Sequence, residues 1–363
     1  MDRETRIMTN DNGNAGPAAR ARFAQSLAGL SEECILRVRR GSIWWEGSNR
    51  GGIATAAAGA GPYTRAFRTA SVTKTFTAAV VLLLAEEGAL AIDDAVAAYL
   101  PSGICERIHI LDGISYGPRI SIAQLLGHRS GLFDYATDPR FAARIAGAPS
   151  KLWSPLDLLN EALEDRLPYF RPGEGLAYSD TGYVLLGMII EGVTGATLAA
   201  AYKKYLTDPL ALKHTYLEGK EAPVDWPVSH AFAGAVDTFG LDPSFDTFGG
   251  GGLVSTAADL DSFITRLLSG AVFARDATLG AMMAGTDAAP GSGTRKTRSA
   301  AGLSAFSIAE QRFWGHLGHW NSFMLHSIEE DISICGTFNQ ADEDPRQKRI
   351  LEAAAIEARG WQK

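Results

Sequence analysis

Residues 71–88, SVTKTFTAAVVLLLAEEG, contain the most apolar helical pattern of the chain. From Val72 to Glu87 the residues are apolar on nearly every side of a helix, and Gly88 follows as a helix stop signal. A helix that is apolar all round is buried, so we expect this one to lie at the centre of the molecule. Its first turn places Ser71 and Lys74 three residues apart, with the hydroxyl and the amine on one face.

The Ser71 and Lys74 pair has the spacing of an activated nucleophile. A serine hydroxyl is a weak nucleophile until a base takes its proton, and a lysine amine becomes that base only if its pKa is lowered. We expect burial to lower it here, and Lys74 is the only one of the nine lysines with a serine three positions before it. A helix-capping Ser71 beside a snorkelling Lys74 explains the same pattern without chemistry, and the pair alone leaves both open.

Two later motifs carry further candidate groups. Tyr178-Ser-Asp180 precedes a helical run, so its phenol can point into a cleft, where a neighbouring cation favours the phenolate. His316-Leu-Gly318-His319 lies on a late strand, where a glycine marks a close approach and a backbone N–H can serve an oxyanion. Core packing of the tyrosine and a structural role for the histidines stay open from these residues alone.

The remaining patterns predict an α+β fold, with an antiparallel sheet built from both chain ends and flanked by helices, plus a mostly helical domain. Alternation at 34–39 and 43–46 predicts a hairpin with its turn at Gly41. The predicted helices are 122–127, 155–163, 182–192, 198–205, 257–268 (with a capping box of Thr256 and Asp259) and 346–359. The predicted C-terminal strands are 303–308, 313–318, 323–328 and 332–339.

The same patterns divide the chain into regions. We expect residues 1–20 to be disordered, residues 21–66 and 296–363 to form the sheet domain, and residues 67–295 to form the mostly helical domain. The composition of residues 288–300 predicts a flexible polar loop. The glycines at 249–252 predict a close-packed turn, because no Gly-Lys-Ser/Thr follows to make a phosphate site.

Composition excludes several classes of protein. The 363 residues are 46% hydrophobic and 21% charged, which is typical of a globular protein. A net charge of -7 argues against a nucleic-acid partner. The longest apolar run, 76–85, is about half of what spans a bilayer, and the first residues lack an apolar leader, so we expect no membrane partner and a cytoplasmic location. Three cysteines, at 34, 105 and 335, predict buried reduced thiols.

As a set, Ser71-x-x-Lys74, Tyr178-x-Asp180 and His316-x-Gly318 resemble the three motifs of the penicillin-recognising serine hydrolases. This family includes class C β-lactamases, DD-carboxypeptidases, D-aminopeptidases, D-amino acid amidases and related esterases. The segments LLGHRSGL at 125–132, YSDTGYVLLGMII at 178–190 and GGLVSTAADL at 251–260 add to the resemblance, which covers residues 60 to 340 approximately. It implies a β-lactamase/DD-peptidase-like fold with the active site between the two domains.

The resemblance also implies a role for each motif. Ser71 would be acylated, Lys74 would be its base, and Tyr178 would carry a proton to the leaving group. The backbone N–H groups of Ser71 and His319 would form the oxyanion hole, and water would hydrolyse the acyl-enzyme. No metal or organic cofactor is implied.

Two positions depart from the family pattern. The second motif usually ends in Asn, and the carboxylate of Asp180 would favour the charged amine of Lys74 and make it a poorer base at rest. Many members carry Lys where this chain has His316, so a fixed positive charge for a substrate carboxylate is missing near neutral pH. We therefore do not expect strong penicillin hydrolysis.

The sequence thus predicts a serine hydrolase that acts through an acyl-enzyme on small amides or peptides. A preference for D-configured residues follows from the resemblance alone. An esterase on the same scaffold and a catalytically silent penicillin-binding-like sensor are the alternatives. An α/β-hydrolase is disfavoured because the chain contains no Gly-x-Ser-x-Gly. The exact substrate and the oligomeric state do not follow from the sequence.

Overall fold

The central helix occupies the place that its sequence predicts. The computed structural model describes residues 15–49, 65–163, 166–221, 227–287 and 296–361. In it, a short 3₁₀ turn at Ala70–Val72 leads into the helix Thr73–Glu86, whose residues from Thr73 to Leu82 are all buried. Gly88 adopts the left-handed backbone conformation (φ 73°) that ends the helix, as a glycine at this position allows.

Helices fill the middle of the chain and flank both of its ends. The helices are α1 (Pro17–Leu27), α2 (Thr73–Glu86), α3 (Ser102–Ile108), α4 (Ile122–Leu126), α5 (Pro139–Gly147), α6 (Pro155–Leu163), α7 (Asp180–Thr194), α8 (Leu198–Tyr202), α9 (Ala257–Leu268), α10 (Asp276–Met283) and α11 (Pro345–Arg359). The six helices predicted after residue 120 are confirmed, with α8 ending early in a π-helical turn at Lys203–Thr207. The helices α1, α3, α5 and α10 were not predicted.

Strands from both chain ends form one antiparallel sheet of eight strands, in the order β10-β11-β12-β13-β14-β15-β1-β2. The strands are β1 (Ile35–Arg40), β2 (Ile43–Ser48), β3 (Phe67–Arg68), β4 (Ile110–Leu111), β5 (Ile114–Ser115), β6 (Tyr216–Leu217), β7 (Phe232–Ala233), β8 (Val236–Asp237), β9 (Leu253–Ser255), β10 (Thr286–Asp287), β11 (Lys296–Ser299), β12 (Ser304–Ile308), β13 (Gln311–Leu317), β14 (Ser322–Ser327) and β15 (Ile332–Thr337). Pairing of β1 with β15 sets Ile35 opposite Thr337 and joins the two ends of the chain.

Apolar residues on the two faces of the sheet pack against different helices. On one face, Ile334 belongs to a buried cluster with residues of α1 and α11. On the other face, its neighbour Cys335 belongs to the cluster that contains α2, α7 and α9. This alternation follows from the two-residue period of a strand. On the second side, α9 packs on β1, β14 and β15, and α2 packs on β13. All three cysteines are buried and free, as predicted.

Some regional predictions need correction. Residues 1–14 lie outside the described residues, but residues 17–20 are helical rather than disordered, because the helix they begin packs Phe23 and Leu27 into the sheet cluster. Residues 288–295 of the predicted polar loop also lie outside the described residues, whereas 296–299 form β11, which pairs with β12. The division into a sheet domain (21–66 with 296–363) and a mostly helical domain (67–295) stays a prediction. Within residues 67–295, β10 is a strand of the large sheet and α9 packs against that sheet.

Among the described residues, no single helix has both the length and the apolar composition to cross a membrane. The pair Asp180–Thr194 and Leu198–Thr207 meets that requirement only together, across a bend of 77°.

Candidate active site

Ser71 and Lys74 meet at the first turn of the central helix. Ser71 is half-buried in the 3₁₀ turn, and the Nζ of the fully buried Lys74 donates to its Oγ at 3.0 Å. The snorkelling alternative is wrong because Lys74 has no exposed surface. The capping alternative is wrong because the N-cap position of this helix is occupied by Val72, not Ser71, and no side chain caps the helix there. Ala70, just before Ser71, has a left-handed φ of 45°, a strain typical of functional sites.

Three acceptors surround the amine of Lys74. Besides Ser71, it contacts the carboxylate of Asp180 at the start of α7, and it donates to the carbonyl oxygen of Gly250 at 2.7 Å. Burial is the largest single influence and disfavours the charged amine, but Asp180 and Tyr178 together outweigh it, with Asp180 the larger of the two, so the pKa of Lys74 is raised. Burial acts in the expected direction, but the expected outcome, a lowered pKa, is wrong, and Lys74 is an ammonium at rest.

Tyr178 lies beside the same amine. Its ring centroid is 4.9 Å from Lys74 Nζ and 6.3 Å from the ring of His316. Burial raises the pKa of the Tyr178 phenol, and the opposing effect of Lys74 is smaller. The phenol is therefore protonated at rest, contrary to the phenolate expected from a neighbouring cation, and it is a proton donor.

The third motif brings the end of β13 against the Ser71 turn. A Cβ at Gly318 would lie 2.4 Å from the carbonyl oxygen of Thr69, so only glycine permits this approach. His316 is buried on β13, whereas His319 is exposed after the strand. Among the described residues, the backbone N–H of His319 donates to no backbone carbonyl, so it is available to a substrate oxygen.

The glycine stretch 249–252 is a close-packed turn, as predicted, but it also belongs to the site. Gly249 has a φ of 67°, and a Cβ there would lie 2.1 Å from the carbonyl oxygen of Tyr183. A Cβ at Gly250 would lie 2.7 Å from Asp180 Oδ1 and 3.4 Å from Lys74 Nζ. The sequence indicated the turn but not its contact with Lys74, since only the run of glycines signals a close approach.

Two carboxyl groups that the sequence did not single out complete the site. Asp134 is buried, and its Oδ1 accepts the backbone N–H of Asp180 at 3.1 Å. Burial and the nearby charge of Asp180 raise the pKa of Asp134 to about 7, and the same two causes raise the pKa of Asp246 to about 7. These groups exchange protons near neutral pH, and no local pattern distinguishes them among 41 acidic residues.

Comparison with known sequences gives one family and several partial relatives. The beta-lactamase family matches residues 35–358. The chain is 37% identical to penicillin-binding protein 4* of Bacillus subtilis over 150 residues, which are 41% of this chain and 30% of that protein. It is 34% identical to the protein flp of Staphylococcus aureus over 161 residues, 43% of this chain and 28% of that protein. The match thus spans less than a third of each of these two relatives.

Comparison with solved structures confirms the predicted fold class. A D-stereospecific amidohydrolase from Streptomyces sp. has a TM-score of 0.77 at 28% identity, over 92% of this chain and 98% of that one. The D-amino acid amidase of Ochrobactrum anthropi SV3 has a TM-score of 0.78 at 22% identity, over 94% and 98% of the two chains. The octameric penicillin-binding protein homologue from Pyrococcus abyssi has a TM-score of 0.75 at 21% identity, over 93% and 76%.

Proposed function

The chain belongs to the beta-lactamase family, and from this premise we propose that it is a serine hydrolase in which Ser71 is acylated by a small amide or peptide. The observation that carries the proposal is the distance of 3.0 Å between Ser71 Oγ and the Nζ of a fully buried Lys74. A serine so placed next to an amine at the edge of a buried helix has both a base and access to substrate.

The charge on Lys74 sets the order of proton transfers. Because Lys74 is an ammonium at rest, it first gives a proton to the carboxylate of Asp180, which it contacts. The neutral amine then takes the proton of Ser71 while Oγ forms a bond to the substrate carbonyl carbon. The electron pair of the carbonyl moves onto its oxygen, where the backbone N–H groups of Ser71 and His319 stabilise it.

Tyr178 completes acylation by protonating the leaving group. As the tetrahedral intermediate collapses, the bond from carbon to nitrogen breaks, and the departing amine takes the phenol proton. Lys74, 4.9 Å from the Tyr178 ring, returns a proton to the phenolate. Water then attacks the acyl-enzyme, and the acid product leaves Ser71 free.

Two observations favour an amide with a D-configured residue and no free carboxylate. The Streptomyces relative at 28% identity is named a D-stereospecific amidohydrolase. His316 stands where a fixed cation would bind a substrate carboxylate, which favours D-amino acid amidase or D-aminopeptidase substrates over those of DD-carboxypeptidases and over penicillins.

The test compares D-alanine amide, L-alanine amide, D-alanyl-D-alanine and benzylpenicillin by rate, and by intact mass for the acyl-enzyme. We expect turnover of the D-amide and its loss in Ser71→Ala, with the exposed Ser269→Ala as the matched control that keeps full activity. Absence of D-amide turnover in the wild-type protein would remove the amidase proposal.

An esterase is the second candidate, and the charged Lys74 favours it. Because Lys74 is held as an ammonium, little unprotonated amine is present to activate Ser71. An activated ester needs less help from a base than an amide does, so such a site acylates with an ester more readily. Turnover of p-nitrophenyl butyrate without turnover of any amide would establish this alternative. Failure of Ser71 to react with a fluorophosphonate would instead favour the silent sensor.

A further inference from the structure

One segment borders the whole loop that carries Tyr178 and Asp180. It runs from His128 to Asp134, within and just after the LLGHRSGL stretch. Its last residues hold the start of α7, because Asp134 Oδ1 accepts the N–H of Asp180 and the carbonyl oxygen of Phe133 accepts the hydroxyl of Thr181 at 2.6 Å.

His128 holds the other half of that loop, on both sides of Tyr178. Its carbonyl oxygen accepts the N–H of Ala177 at 3.0 Å, and its Nδ1 accepts the N–H of Ser179 at 3.2 Å. Its ring also packs on the ring of Tyr178, with centroids 4.4 Å apart. Because a backbone N–H donates to Nδ1, the imidazole is the neutral tautomer with its proton on Nε2.

The backbone of His128 itself is strained. The residue is buried and has a left-handed φ of 56°, a conformation that costs a non-glycine residue free energy and that Asn tolerates better than most. Strain of this kind persists where the surroundings fix it, and it is concentrated near functional groups. Here the left-handed turn directs the carbonyl oxygen and the ring of one residue to the same loop.

We propose that His128 is a positioning residue for Tyr178: by accepting the two N–H groups that flank the tyrosine and packing on its ring, it fixes the phenol where it protonates the leaving group. The inference rests on the proposed function of Tyr178. In this proposal His128 acts on the leaving group through the tyrosine and not by contact with the substrate.

This role has a signature that a merely structural role lacks. An amine leaving group needs a proton as its bond to carbon breaks, whereas p-nitrophenolate leaves without one. Misplacing the phenol therefore lowers the turnover of D-alanine amide more than that of p-nitrophenyl butyrate. General loss of folded protein lowers both rates equally and leaves their ratio unchanged.

The experiment measures the ratio of the two kcat values in four variants whose folding is checked by thermal unfolding. Tyr178→Phe is the reference and should lower the amide rate by roughly 10² to 10⁴. His128→Gly accepts the left-handed backbone but loses the ring and the Nδ1 acceptor, and it should lower the amide-to-ester ratio by at least about tenfold. His128→Asn keeps an acceptor at the Nδ1 position and should stay within about threefold of the wild-type ratio.

His109→Asn is the matched control. His109 is another buried histidine, whose Nε2 donates to the carbonyl oxygen of Phe170 and whose ring lies 5.6 Å from that of Tyr116. These contacts include neither the ring of Tyr178 nor the two N–H groups beside it. Its substitution should leave the ratio unchanged, whatever it does to stability.

The outcomes separate the inference from the proposed function. An unchanged ratio in Tyr178→Phe would refute the role of Tyr178 itself. A lowered ratio in Tyr178→Phe with a wild-type ratio in folded His128→Gly would overturn the role of His128. If His128→Gly does not fold, His128→Asn decides: retention supports the proposal, and a loss as large as that of Tyr178→Phe contradicts it. If the wild-type protein hydrolyses esters alone, ethyl butyrate replaces the amide, since ethoxide also needs a proton to leave.

Discussion

Lys74 donates to three acceptors, and one of them, Asp180, carries a full negative charge. That charge is the reason why the pKa of Lys74 lies above its ordinary value despite complete burial. A base that is protonated at rest limits the rate on the acid side of the pH profile, because only the small unprotonated fraction can accept the proton of Ser71.

Asp180→Asn should move the acid limb of kcat/KM to lower pH by about 1 to 3 pH units. A neutral amide removes the charge that raises the pKa of Lys74, so the unprotonated amine becomes available at a lower pH. The measurement is a pH–rate profile from pH 5 to 10 on one substrate. Asp208→Asn, which breaks the exposed ion pair of Asp208 with Lys203, is the control and should leave the profile unchanged. An unshifted profile in Asp180→Asn would show that Asp180 does not control the base.

Gly250→Ala should lower kcat at least about tenfold while the protein stays folded. The added methyl would lie 2.7 Å from Asp180 Oδ1, so the carboxylate and the amine of Lys74 must separate or shift. Steady-state kinetics with circular dichroism checks this result. Gly280→Ala in α10 is the control, because a Cβ there meets nothing within 4 Å. It should keep full activity and gain about 0.5 to 1 kcal/mol of stability from helix propensity.

At the scale of elements, the sequence predicted those helices and strands that are set by interactions between neighbouring residues. The central helix, the N-terminal hairpin and the four C-terminal strands were recognisable because their apolar period is carried by consecutive residues. The capping box at the start of α9 forms only in part: Thr256 accepts the N–H of Asp259, but the carboxylate of Asp259 accepts the N–H of His214 instead of returning to the cap. A distant partner competed with the local one.

One helix that the sequence did not predict, α10, has such a distant partner. Glu86, the last residue of α2, accepts the N–H groups of Ala274 and Arg275, which directly precede α10, and the hydroxyl of Thr278 in the first turn of α10. In the candidate site, motif residues were predictable by spacing. Gly250, Asp134 and Asp246 were not, because their roles arise from elements that meet only in the folded chain.

Glu86→Ala should destabilise the protein by about 1 to 2 kcal/mol. The substitution leaves the first N–H groups before α10 without their acceptor, which acts as a helix cap supplied from elsewhere in the chain. Urea unfolding followed by circular dichroism measures the change. Glu87→Ala is the control from the adjacent position: its exposed carboxylate accepts one bond from Tyr205, so its loss should cost less than about 0.5 kcal/mol. Equal costs for the two variants would contradict this account of α10.

At the scale of the whole molecule, a buried charge cluster joins the sheet to the helices. Arg37 and Arg39 of β1 both donate to Asp261 of α9 at 2.9 Å, and Arg39 also donates to Ser333 of β15. The first strand and α9 therefore meet at one carboxylate, and β15 joins them through Arg39. This contact fixes the sheet against the layer that contains α2, and so fixes the end of β13 against the turn that carries Ser71.

Asp261→Asn should destabilise the protein by about 3 kcal/mol at pH 7, because two largely buried guanidinium groups lose the anion that they share. Burial alone would raise the pKa of Asp261, but the two arginines outweigh it and hold the pKa below its ordinary value. Because the pKa of Asp261 is lower in the native than in the unfolded state, its ionised carboxylate stabilises the fold fully at pH values above the unfolded-state pKa near 4. This stabilisation is lost as the pH falls through the native-state pKa. The difference between wild type and variant should therefore shrink in acid, which urea unfolding at pH 7 and pH 3 would show. Asp331→Asn is the control, because it removes a partner of Arg39 whose side chain is 40% exposed. It should lower the free energy of unfolding by less than about 1 kcal/mol. An equal loss of stability in the two variants would contradict the role assigned to Asp261.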